Sequence, residues 1–231
     1  MAITFNQNTV DPLSFGVNAS RQRLLTQARV KGTSVLLDRW TLGPGAQIEL
    51  GIAARDLAWF QLLEGEATLA GAAGAQPVTP DHVAFLPPGF RGTLAAHNDA
   101  VVLYAEVPDA ARFDPLLVSN PPQLRIVDWT HEPVLDSEHD ARKRIYIVTP
   151  KLFSTKAIKG EMIIYPAGTE AANHQPAQRR AGHRGHLKHD GVQADGIGQM
   201  FARNQRGDKR LPGRAVEGAK RRTKRGQQVN R

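Results

Sequence analysis

No cysteine occurs among the 231 residues, which excludes disulfides, thiolate metal sites and cysteine nucleophiles. Aromatic residues are scarce at 6%, and the basic run Lys220-Arg221-Arg222-Thr223-Lys224-Arg225 has none interleaved, so base stacking has no platform there. No run approaches the ~20 apolar residues that a membrane span requires, so no membrane partner is expected. The opening MAITFNQNTVDPLSFG lacks a basic-then-apolar leader pattern, and with the missing cysteines this makes a cytoplasmic location the expectation. A phosphate-cradling glycine loop, a Walker-like run and a Ser-His-Asp arrangement are also missing.

Acidic charge is lacking in one part of the chain. Of 30 Lys+Arg and 22 Asp+Glu, residues 176–231 hold 15 and 4, while residues 1–175 hold 15 and 18. The net charge of +8 is therefore a balance of +11 in the last quarter set against −3 in the body. Such a tail implies non-specific, salt-sensitive adhesion to polyanions and nothing more selective.

What is present in the body is a series of short apolar stretches punctuated by Gly and Pro. Candidate strands are Ser34–Thr41, Ile48–Leu50, Trp59–Leu63, Ala67–Ala70, His82–Leu86 and Val101–Val107. The turns between them are read at Leu42-Gly43-Pro44-Gly45, Leu63-Glu64-Gly65-Glu66 and Leu86-Pro87-Pro88-Gly89. Many short strands with closely spaced turns predict an all-β sandwich or barrel. The expected core includes Val35, Leu37, Trp40, Leu42, Trp59, Phe60, Leu62, Val83, Phe85, Val101 and Leu103. Two more strands are expected at Gln123–Trp129 and Arg144–Thr149.

Within this stretch Gly45, Gly51, Ala53, Ala58 and Gly65 are followed by Asp81, Pro87, Gly89, Gly92 and Ala96. The spacing resembles the two motifs of the cupin superfamily, a Gly followed by His-x-His, Glu and Gly, and then Pro-x-Gly, His and Asn. The shaping residues Gly45, Gly65, Pro87 and Gly89 survive, but the histidine and glutamate positions fall on Gly51, Ala53, Ala58 and Gly92, which carry no donor. These four are vestigial ligand positions. Residues 159–168, KGEMIIYPAG, repeat the sense of residues 38–45, DRWTLGPG, about 120 residues later, so the chain resembles a bicupin. Counting on from Gly168, His174 stands where the first ligand of the second barrel belongs, while the next ligand position is Pro176.

The resemblance implies a double-stranded β-helix, the jelly-roll cupin barrel, with the second barrel incomplete and the basic tail without order. The divisions expected are an N-terminal arm at 1–33, barrel one at 34–108, a linker at 109–140, the start of barrel two at 141–175 and the tail at 176–231. An Arg/Gly/Gln/His-rich stretch without periodicity is what an out-of-frame reading of GC-rich DNA produces. Translation of the other two frames around codon 175 tests this, and the absence of a His/Glu-bearing strand pattern there would count against it.

The resemblance further implies descent from a metal-dependent enzyme acting on a small polar or carboxylate-bearing molecule. In an intact second barrel the metal would be Fe, Mn, Ni or Zn; in this chain no cofactor is expected. The function read is a cupin-domain protein, non-catalytic in this form. The alternative is a metal-dependent bicupin enzyme (a dioxygenase, decarboxylase or ureidoglycine-aminohydrolase-like protein) that uses the second barrel and His174 as metal ligand. The catalytic residues are unknown. Exposed edges of a truncated barrel favour a homo-oligomer.

Other polar residues have plainer readings. Glu49, Asp56, His82 and His97 lie off the ligand frame or at strand ends, and Glu64 and Glu66 flank a turn as solvated groups. His183, His186 and His189 have helical chelating spacing, but Gly182, Gly185 and Gly191 oppose a helix there. Asp128, His131, Glu132, Asp136, Glu138, His139 and Asp140 read as a solvated connector.

Overall fold

A computed structural model of the chain describes residues 5–136, 143–165 and 167. His174, Pro176, the His183–His189 set and the whole basic tail lie outside these residues, as do Glu138, His139 and Asp140.

Eight strands build the central unit: β3 (Leu36–Leu42), β4 (Gln47–Gly51), β5 (Leu57–Glu64), β6 (Ala67–Gly71), β7 (Gly74–Val78), β8 (His82–Leu86), β9 (Arg91–Ala96) and β10 (Ala100–Val107). They fall into two antiparallel sheets in the orders β3-β10-β5-β8 and β4-β9-β6-β7. Counted from the first of the eight, these orders are 1-8-3-6 facing 2-7-4-5, the double Greek key of a jelly roll. Each candidate strand of the segment 34–107 has its counterpart in this set.

The larger sheet is wider than a single jelly roll. Before β3 the hairpin β1 (Leu13–Gly16) and β2 (Ala19–Leu25) extends it on one side, and β11 (Arg125–Asp128) pairs with β8 on the other. The segments read as an arm and a linker therefore supply three of its seven strands. Beyond it, β12 (Leu135–Asp136), β13 (Lys143–Val148) and β14 (Gly160–Ile164) form a third sheet. Both α-helices, α1 (Leu116–Ser119) and α2 (Pro150–Phe153), are single turns among the described residues. None of the described helices is long and apolar enough to cross a membrane.

Alternation along the strands produces two cores instead of one. On one face of the seven-stranded sheet, Trp40, Leu42, Ala58, Phe60, Leu62, Ala84, Leu86 and Val102 meet Ile48, Leu50, Leu69, Val78 and Leu94 of the four-stranded sheet. This is the barrel interior. On the opposite face, Leu37, Leu57, Trp59, Val83, Phe85 and Val107 pack against Ile145, Ile147, Val148, Phe153, Ile158 and Met162. Residues 145–162 thus seat on the outer wall of the barrel. Because β5 faces a core on each side, Leu57–Leu62 is buried without interruption. Ten of the eleven expected core residues are buried; Leu103 is partly buried against the outer core.

The two halves are joined by a polar latch. Asp114 is 6% exposed and its Oδ2 accepts from Thr155 Oγ1 at 2.8 Å and from the Lys156 N–H at 2.8 Å.

Candidate functional site

The vestigial ligand positions are resolved by strand parity. Leu50 pairs with Gly92 and Gly51 with Arg91, and Leu50 and Ile52 are buried while Gly51 and Ala53 are exposed. The inward side chains of this strand and its continuation are therefore Ile48, Leu50 and Ile52. Gly51 and Ala53 sit on the outer face, so the aligned frame is one residue out of step here. Ala58 is 2% exposed and faces the interior, and Gly92 shares the parity of buried Leu94 and Ala96. A Cβ on Gly92 would run into the Ala70 carbonyl oxygen and come within 2.7 Å of the Phe90 ring. The Phe90 ring covers the facing pair Gly71 and Gly92.

This decides whether the barrel fits the divalent metal that the sequence resemblance implies. At the inward positions stand Leu50, Ile52, Ala58 and Gly92 with Phe90 over it, none of which offers a nitrogen or oxygen side-chain donor. They do not fit a metal. Among the described residues no group of three or more His, Asp or Glu is placed to hold one.

The turn-shaping residues of the frame behave as their spacing implies. Gly65 has φ +85° and a Cβ there would strike the Asp99 carbonyl oxygen, and Gly45 and Gly89 share the left-handed sign.

The polar chemistry of the barrel lies on a different wall. On the inner face of β2, β3 and β10, Arg23 is opposite Asp38, Asp38 is opposite Tyr104, and Glu106 is opposite Ala58 of β5. Arg23 donates to both carboxylate oxygens of Asp38, Nε at 3.0 Å and Nη2 at 3.1 Å, and the Asp38 side chain is 4% exposed. The Tyr104 hydroxyl donates to Glu106 Oε2 at 3.4 Å. Asp56, in the loop leading into β5, accepts the Asp109 N–H at 2.9 Å.

Electrostatics tie these groups together. Burial and the charges of Asp56 and Asp38 push the Glu106 carboxyl above the usual range, against the Tyr104 hydrogen bond and the Arg23 charge. Burial first, then the Glu106 charge, push the Tyr104 hydroxyl far above its ordinary value. The hydrogen bond to Asp38 raises Arg23 above its ordinary value, against the effect of burial.

Aromatic rings line the same wall. Trp40 stacks on Tyr104 with centroids 4.4 Å apart and planes at 21°, and Phe15 of β1 leans on Trp40 at 5.3 Å. The Trp40 Nε1 is buried and finds no hydrogen-bond partner among the described residues.

The polar residues singled out from the sequence lie elsewhere, except Asp56. Glu49 accepts from Thr93 Oγ1 at 2.9 Å on the outer surface, His82 bonds Thr79, and His97 bonds Thr68. Glu64 and Glu66 are exposed. His131 pairs with Asp128 at 2.7 Å, and Glu132 with Arg125 at 3.5 Å. Arg23, Asp38, Tyr104 and Glu106 escaped the sequence reading. Their signal was parity: Asp38 stands two before Trp40, and Tyr104 and Glu106 stand two and four after Val102.

No family model matches the sequence, and no curated protein matches it. Solved structures do match in shape. A protein of Pseudomonas aeruginosa described as glyoxylate-induced superposes with a TM-score of 0.52 at 14% identity, over 62% of this chain and 54% of that one. The fold is a cupin-type jelly roll. Protein Ylba of E. coli gives a TM-score of 0.47 at 12% identity, over 62% of this chain and 63% of that one. A cupin-2 domain of Rhodospirillum rubrum gives 0.37 at 16%, over 46% and 74%. The chain thus spans 54% and 63% of the first two neighbours' lengths. At such identities the likeness speaks for the cupin fold alone, and the two scores below 0.5 add no argument.

Proposed function

We propose that this cupin-fold protein derives from a metal-dependent bicupin enzyme and that its first barrel is a non-catalytic, metal-free unit holding a small polar ligand. The observation that carries this reading is that Leu50, Ile52, Ala58 and Gly92, the last covered by the Phe90 ring, stand at the inward positions where the family places its donors. A polar wall remains beside them, formed by Arg23, Asp38, Tyr104 and Glu106. The same barrel presents its outer face as the seat of the second half, which gives it a scaffolding role.

Elemental analysis of the purified full-length chain tests the reading. The expected content of Fe, Mn, Ni and Zn is far below one equivalent. A stoichiometric metal that disappears in His174→Ala would instead establish the enzyme reading, with the second barrel as the metal centre.

A further inference from the structure

We propose that the outer face of the seven-stranded sheet carries a binding site for a small neutral polyol, a hexose-sized molecule with neighbouring hydroxyl groups, in a hollow over Gly43. The site is separate from the barrel interior and does not depend on what the interior holds.

Strand parity builds the hollow. Trp40, Leu42 and Val102 point into the barrel, so Thr41 and Val101 between them point outward. On this outer face the register lines up Ser14 with Ser20, Ser20 with Thr41, and Thr41 with Val101. One step further towards the end of the sheet, Asn18, Gly43 and Asp99 continue the same alternation. Gly43 has no side chain, and its N–H donates to the Asn18 carbonyl at 2.7 Å. The space over it measures about 420 Å³ and is lined by Ser14, Asn18, Ser20, Thr41 and Asp99. That is the size of a small-molecule site, for which about 300–1,000 Å³ is usual. The outer core covers the sheet around Leu37 and Phe85, and none of the residues lining the hollow belongs to it. The hollow is open to solvent.

The lining selects the ligand class. Among the described residues the side chains of Ser14, Asn18, Ser20 and Asp99 make no hydrogen bond or ion pair, and Thr41 Oγ1 accepts only from Arg39 Nη1, at 3.4 Å. Three hydroxyls and an amide both donate and accept, while the Asp99 carboxylate only accepts. A ligand hydroxyl does both as well, and two neighbouring ones can donate to the two oxygens of one carboxylate. Charge argues against the other classes. Asp99 stands in the wall and Glu64 opposite Val101, while the cation on this face, Arg39, does not line the hollow; Arg21 lies on the inner face opposite Trp40. An anion would meet Asp99 without a guanidinium in the wall to offset it. A metal ion would find a single carboxylate, and no metal-holding group occurs among the described residues.

Glucose and galactose are the probes. The full-length chain, labelled with nitrogen-15, is titrated with each and, at equal ionic strength, with inorganic phosphate and with calcium chloride. The readout is the set of backbone amide resonances. At least one hexose is expected to give saturable shifts confined to Ser20, Gly43, Asp99 and their sequence neighbours, with phosphate and calcium giving none there. Affinity should weaken about tenfold in D99N, which loses a charged acceptor, and about fivefold in S20A. Neither substitution removes a side-chain bond seen in the fold, and unshifted amides of Leu69 and Leu94 would show that both variants are folded. Absence of a saturable shift with both hexoses, shifts centred elsewhere, an equal response to phosphate or calcium, or undiminished affinity in D99N and S20A would overturn the proposal. The metal content of the barrel is measured separately, so failure here leaves the metal-free reading standing.

Discussion

A histidine at position 92 has no room. Its Cβ would collide with the Ala70 carbonyl oxygen of the adjacent strand and crowd the Phe90 ring, and a ladder carbonyl cannot retreat as a flexible side chain does. Gly92→His is therefore expected to cost about 2 kcal/mol or more by overpacking and to bind no nickel or cobalt, as urea denaturation and metal titration would show. Gly65→Ala is expected to cost more than about 1 kcal/mol, because φ +85° and the Asp99 carbonyl both oppose a Cβ. Glu106 contributes with the opposite sign. Its folded-state carboxyl is raised by burial and by Asp56, so the native state binds the proton more tightly than the unfolded chain. Stability attached to this group falls as pH rises from the unfolded pKa through the raised folded value. E106Q keeps an acceptor for Tyr104 and removes the charge; it should be more stable than wild type at neutral pH and lose that part of the slope. Denaturation midpoints measured at pH 5 and pH 8 test this, and an E106Q midpoint below wild type at pH 8 would refute it.

Between elements, Asp114 is the contact to break. Burial pushes its carboxyl upward, but the Lys156 N–H, the Thr155 hydroxyl and the Leu116 N–H outweigh burial and bring it below the usual range. A depressed carboxylate contributes stability that is complete above the unfolded value of about 4 and is lost as pH falls through the folded value. Asp114→Ala strands Thr155, which is 1% exposed, and the Lys156 N–H, and is expected to cost about 2–4 kcal/mol. Amide exchange at Ile145, Ile147 and Val148 should accelerate more than exchange in β5 and β10; equal acceleration throughout would deny the latch its local role. The elements also show where sequence reading succeeds. β3, β5, β8 and β10 were legible because each is a dense apolar run. Five others, β1, β2, β7, β9 and the two-residue β12, were not. β9, with the sequence RGTLAA, has one β-branched residue; β7 carries Pro77 on a sheet edge; and β1–β2 is mostly polar and owes its strand form to pairing with β3. The site was half legible. Motif spacing located Ala58 and Gly92 on the interior, but spacing does not report parity, and a one-residue slip moved Gly51 and Ala53 to the outside.

At the scale of the molecule, one seven-stranded wall carries two cores, and this fixes how the described body should unfold. Trp40 reports the barrel interior and Trp59 the outer core, and the two lie on opposite faces of β3 and β5, which flank β10 in one sheet. Neither core can lose its wall without exposing the other: the run Leu57–Leu62 would present both its faces to water at once. At about 1.5–3 kcal/mol for each of its four large apolar side chains, that coupling is comparable to the whole stability of a typical domain. Leu62→Ala in the inner core and Phe85→Ala in the outer core should each cost about 2–5 kcal/mol and move one common transition. With 5-fluorotryptophan incorporated, the fluorine signals of Trp40 and Trp59 should vanish at the same urea concentration. An outer-core signal lost at clearly lower urea than the inner one would mean that residues 143–164 form a separable unit resting on a barrel that holds without them.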